Sequence, residues 1–159
     1  MNPRQILVAA MLLGSVASAD LTVILPDPEI YADTSEGFLI ETTLPGTFKT
    51  PEGVIAALLT LGDQAKNKKL ENPFTPEALR GSSHFEGAKP LAAYYRGARI
   101  KDKEFIVSFS GEAMRYLNNT AGIQEFVKGS LVATVVKNFP AVKTVQYEID
   151  GEIVTDWDA

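Results

Sequence analysis

Leu131 to Glu152, LVATVVKNFPAVKTVQYEIDGE, joins an amphipathic helix to a β-hairpin through a single Phe-Pro stop. Ile123, Phe126, Val127, Leu131 and Val135 recur at helical spacing, which predicts a helix burying that stripe. Pro140 has no N–H and its ring clashes with the preceding turn, so the helix should end near Phe139. Beyond the stop, Val145, Tyr147 and Ile149 alternate with Gln146 and Glu148, the period of a strand with one covered face. Asp150-Gly151 then supplies the positive-φ pair of a tight hairpin turn, and Glu152 to Asp156 reads as the return strand.

Upstream, Leu91 to Ile100 and Glu104 to Phe109 read as a hairpin around Lys101-Asp102-Lys103, with Phe105, Val107 and Phe109 facing one way toward Tyr95. Ser110 is placed to cap a short helix over Glu112 to Leu117, and Thr120 to cap the long helix that starts near Gly122. Thr50-Pro51-Glu52 opens another helix, whose Val54, Ile55, Leu58, Leu59 and Leu61 form a stripe ending at Gly62. Leu21 to Leu25 is an almost unbroken apolar run, which predicts a central strand buried on both faces. Glu29 to Tyr31 and Phe38 to Thr43 read as short strands around an Asp33 to Gly37 turn. Between Asp63 and Pro90 no period is sustained, and only Pro76 to Leu79 suggests a helical turn. So long a connection is often functional, which makes it the first place to look for a partner surface. The order predicts an α+β single domain, a mostly antiparallel sheet with helices packed on one face.

Residues 1–19 have the form of an export signal. Arg4 precedes an apolar core from Ile6 to Leu13, and Ala17-Ser18-Ala19 fits the small-x-small cleavage pattern. The mature domain is expected to begin at Asp20 and run to Ala159. The apolar run is too short for a spanning helix of about 20 residues. With no cysteine, disulfides, thiolate metal sites and a cysteine nucleophile are excluded. A net charge of −5 argues against a nucleic-acid binder or a protein held by charge to anionic lipid. The one basic cluster, Lys66, Lys68 and Lys69, reads as a solvated loop.

The Leu131 to Glu152 segment resembles the closing half of the GerMN domain, named after sporulation and spore-germination proteins, with its Phe-Pro, spaced valines and Asp-Gly. EGVIAALLTLG, Glu52 to Gly62, is similar to that family's first helix, with paired leucines before a glycine. VSFSGE, Val107 to Glu112, is similar to the strand-then-serine motif entering the second helix, with Ser110 at the serine position. These blocks occur in the family's order along the mature chain. The chain departs from the pattern where Gly62-Asp63 stands for Gly-Pro, and in a longer stretch to Pro90. The resemblance implies an extracytoplasmic α+β module serving interaction or assembly in cell envelopes, with sporulation or germination as one setting. It assigns no catalytic residue, cofactor or metal.

Read residue by residue, the chemistry is sparse. A hydrolase would set a serine of Gly81-Ser82-Ser83 with His84 and Glu86 as nucleophile, base and orienter, yet nothing resembles a nucleophile elbow. His84 is the single histidine, too few for a His-centred transition-metal site. Asp150, Glu152, Asp156 and Asp158 crowd one end without calcium-loop spacing, and suit a charged hairpin edge. Asn118-Asn119-Thr120 matches a glycosylation acceptor, although Thr120 as a helix cap explains it without sugar. Tyr94, Tyr95 and Trp157 are candidates for stacking on a glycan or peptide, with ordinary sheet packing the simpler reading. The expectation is an exported, non-enzymatic binding or assembly module with an envelope protein partner. A glycan is the second candidate partner, and a secreted hydrolase the alternative function.

Overall fold

In the computed structural model the described residues are 20–46, 49–62 and 69–157. The expected export signal, Lys66, Lys68 and Asp158 lie outside them. A four-stranded sheet has the order β3 (Tyr95–Lys101), β4 (Glu104–Phe109), β5 (Thr144–Ile149), β6 (Glu152–Ile153). A two-stranded antiparallel sheet holds β1 (Leu21–Pro26) and β2 (Leu39–Leu44). The fold is α+β, as the order of elements predicts, but its strands divide between two sheets. The larger is mixed, because β4 and β5 pair in parallel. Parallel neighbours need a long crossover, and the helices α3 (Met114–Leu117) and α4 (Ala121–Asn138) provide it.

Register explains the layers. Phe105, Val107 and Phe109 lie opposite Val145, Tyr147 and Ile149, so one face of β4–β5 is a continuous apolar surface. Glu104, Ser108, Gln146 and Glu148 fall on the other face. There Glu148 receives the Arg99 guanidinium at 2.7 Å and the Ser108 hydroxyl at 2.5 Å. These partners, the guanidinium first, hold the Glu148 carboxyl down at about 2. Helix α2 (Pro51–Leu59) packs on β3, and Thr50 Oγ1 caps it by accepting the Gly53 N–H at 3.1 Å. Helix α4 buries Val127, Leu131 and Val135 and ends at Asn138, one residue before Phe139.

Several expectations are corrected. Glu29 to Tyr31 belong to α1 (Pro28–Thr34), not to a strand. Asp27 Oδ1 accepts the amides of Glu29 and Ile30 at 2.9 and 3.2 Å, and Pro28 fits the first helical turn. Leu91 to Tyr94 form a 3-10 turn, and the strand begins only at Tyr95. The return strand is limited to Glu152 and Ile153. Neither Ser110 nor Thr120 caps a helix through its hydroxyl; the Asn119 side chain accepts the Thr120 N–H instead.

The largest correction concerns β1, which pairs with β2 alone and is not a central strand. Its second edge is nonetheless buried and hydrogen-bonded. Thr134 Oγ1 accepts the Ile24 N–H at 2.9 Å. The Asn138 amide donates to the Thr22 carbonyl at 2.6 Å, and the Glu71 N–H donates to the Pro26 carbonyl at 2.9 Å. Buried peptide groups must find partners, and here helix side chains and a loop amide stand in for a neighbouring strand.

Candidate functional site

The long connection is less irregular than its sequence suggests. Leu70, Phe74 and Leu79 enter the core, the last two with no exposure. Pro76–Leu79 forms the expected turn, as a 3-10 helix. Anchored in this way, the connection lies against the first turns of α4 and against Tyr31 of α1. Between them is a groove of about 270 Å³. Glu71, Pro73 and Ala78 form one wall, Tyr31 another, and Ile123, Phe126 and Val127 the apolar floor.

Aromatic packing sets the shape of this site. Tyr31 meets Phe38 and Phe126 edge to face, each pair 4.9 Å apart, and Phe38 and Phe126 lie 5.6 Å apart. All three rings are only partly buried. Next to the groove, Phe38 lines a shallow depression along α4 together with Ser35, Glu125, Lys128, Gly129 and Val132, the last 37% exposed, and Leu39 packs 3.4 Å from where a Gly129 Cβ would stand.

Two carboxylates border the apolar surface. Hydrogen bonding toward Glu125, with burial second, raises the Tyr31 phenol above its ordinary value. Glu71 is half-buried in the groove wall, and burial pushes its carboxyl above the usual carboxylate range. Among the described residues no cation pairs with Glu71: Lys69 is taken by Glu29 at 3.1 Å and Lys137 by Glu41 at 3.0 Å.

The hydrolase constellation is not brought into line. Ser82 Oγ accepts the His84 N–H at 3.0 Å and the Asn119 amide at 3.2 Å. Among the described residues the exposed His84 imidazole has no hydrogen bond to a serine or to Glu86. Arg115 fixes this loop from α3, donating to the carbonyls of His84 and Glu86, both at 3.0 Å.

Asp150, Tyr94, Tyr95 and Trp157 are engaged within the fold, while Glu152 and Asp156 are exposed. Asp150 accepts the Gly111 N–H at 3.1 Å and starts the β5–β6 turn with φ 50°, followed by Gly151 at 86°. Among the described residues no three potential metal ligands cluster. Tyr94 is buried and accepts the Lys89 N–H at 2.9 Å; Tyr95 donates to the Glu52 carbonyl at 3.2 Å and meets Phe109 edge-on. Burial pushes the Tyr95 phenol up to about 12. Trp157 lies edge-on to Tyr147, with the Lys128 ammonium 3.3 Å from its ring centre.

Sequence reasoning missed Tyr31, Phe38, Phe126 and Glu71 as one group. They come from α1, the strand approach, α4 and the connection, and no spacing links them. Among the described residues no helix is long and apolar enough to cross a membrane. Comparison with known protein families, curated proteins and solved structures yields no match to this chain.

Proposed function

We propose that the chain is an exported, non-enzymatic binding module of the cell envelope, GerMN-like in organisation, that holds a protein partner in the Tyr31–Phe126 groove. The observation that carries this reading is the groove itself, whose apolar floor of Ile123, Phe126 and Val127 meets the partly exposed Tyr31 ring, with Phe38 packed against both aromatic rings. Contiguous apolar surface retained in water is characteristic of interaction sites, and pockets lined by aromatic groups concentrate binding energy. The GerMN part of this reading rests on the sequence resemblance, whose blocks fall on regular elements of the fold. EGVIAALLTLG runs from Glu52 within α2 to Gly62 beyond its end, VSFSGE runs from β4 into the turn before α3, and the Leu131 to Glu152 block takes in the C-terminal part of α4 from Leu131, then β5 and the hairpin turn. Export rests on the sequence of residues 1–19, and N-terminal sequencing of the native protein should begin at Asp20.

The binding test compares two baits in an envelope extract, the protein and its Ala78→Trp variant, whose indole would fill the groove from its wall. The same partner should be captured by the first and lost from the second, provided both melt cooperatively. Equal capture by both would move the interaction elsewhere on the surface. Turnover of a substrate abolished by His84→Ala would overturn the non-enzymatic reading.

A further inference from the structure

The groove has a chemical asymmetry that the binding reading leaves unused. Its floor is apolar, while its wall holds the half-buried Glu71 carboxylate with no counter-charge among the described residues. Removing an ion from water is costly unless a partner of opposite charge compensates, and in native proteins buried charges are accordingly paired. Resting on the binding reading, we propose that the groove takes a polypeptide segment in which an apolar side chain adjoins a lysine or arginine. The apolar group enters between Tyr31, Ile123 and Phe126, and the cation pairs with Glu71.

Size favours a side chain over a free metabolite. Pockets for drug-sized ligands run from about 300 to 1,000 Å³. At about 270 Å³ this groove is below that range and suits one anchoring residue of a larger partner. Charge favours a cationic neighbour. Besides Glu71, the Glu125 carboxylate stands beside Tyr31, and α1 with its flanks carries Asp27, Glu29, Asp33 and Glu36. Of these, Glu29 is paired with Lys69. The described cation nearest along α4, Lys128, is directed to Gln124 and the Trp157 ring. An acidic surround of this kind draws basic segments toward the groove and repels acidic ones.

Fluorescence anisotropy with labelled Gly/Ser peptides carrying one central phenylalanine tests the proposal on the purified protein. In three probes the phenylalanine is flanked by lysines, by serines or by glutamates. The lysine probe should bind at least about tenfold tighter than the glutamate probe, and the gap should shrink in 0.5 M salt. Glu71→Gln, close to isosteric, should remove most of the lysine preference while leaving the serine probe's affinity unchanged. Ala78→Trp should abolish binding of all three, and Glu71→Gln keeps the test decisive if that variant fails to fold. Equal affinity for the three probes, or a lysine preference untouched by Glu71→Gln, overturns the cation assignment while groove-dependent binding stands. Binding of none of the probes overturns the segment chemistry, even where the extract experiment still captures a groove-dependent partner. A groove-dependent dimer in sedimentation, or phenethylamine alone binding as tightly as the lysine peptide, also overturns it in favour of a second copy or a free amine.

Discussion

Thr134→Val tests how the buried edge of β1 is held. The substitution keeps the branched shape at a fully buried position and removes the acceptor of the Ile24 N–H, 110 residues distant in sequence. An unpaired buried donor costs about 1–3 kcal/mol. Against a total stability of roughly 5–15 kcal/mol that is a large fraction. Thr134→Ser provides the control, since it keeps the hydroxyl and loses one buried methyl, a loss of about 1 kcal/mol. Urea melts should therefore rank valine below serine in stability, with unchanged m-values. Hydrogen exchange should show the Ile24 amide losing protection in the valine variant and keeping it in the serine variant. A serine variant as unstable as the valine one, with Ile24 still protected in both, would mean that packing and not the hydrogen bond holds the strand to α4.

Leu131→Ala removes a side chain with no exposure from the centre of the core and should cost about 2–5 kcal/mol, whereas His84→Ala in the exposed loop should stay within about 0.5 kcal/mol; denaturant melts of both decide it. Glu148 titrates at about 2 in the fold, below its ordinary 4.5, so its pairing with Arg99 and Ser108 stabilises above pH 4.5 and is lost as pH falls toward 2. Arg99→Met should bring the Glu148 titration, followed by NMR, back toward 4.5 and flatten the acid limb of the stability curve in that window.

What the sequence disclosed follows from how local each signal is. The stripe of α4, the Phe-Pro stop, the Thr50-Pro51 start and the Asp150-Gly151 turn are each set by neighbouring residues, and each is found in place. The Asp27-Pro28-Glu29 helix start was equally local, yet the β-formers Ile30 and Tyr31 led toward a strand, although tertiary contacts leave both only partly buried on α1. The position of β1 was illegible for a different reason. An unbroken apolar run signals two covered faces and an occupied edge, but not that the edge is occupied by Thr134 and Asn138 instead of a strand. The parallel β4–β5 pair left a trace in the matching spacing of Phe105, Val107, Phe109 and Val145, Tyr147, Ile149, which hairpin turn signals on both sides outweighed. Leu70, Phe74 and Leu79 follow no period, so a core segment read as a loop. That segment forms one wall of the groove, and its lack of a period hides its packing against Tyr31 and Phe126.

The claim that this chain binds a protein through the Tyr31–Phe126 groove is tested most directly by site-specific photocrosslinking in the native envelope. A photoreactive amino acid is placed either at Ala78 in the groove wall or at Lys101, exposed at the end of β3 in the other sheet. The account predicts one discrete adduct from position 78, weakened by Glu71→Gln, and none of that mass from position 101. No adduct from position 78, or the same adduct from both positions, would contradict it.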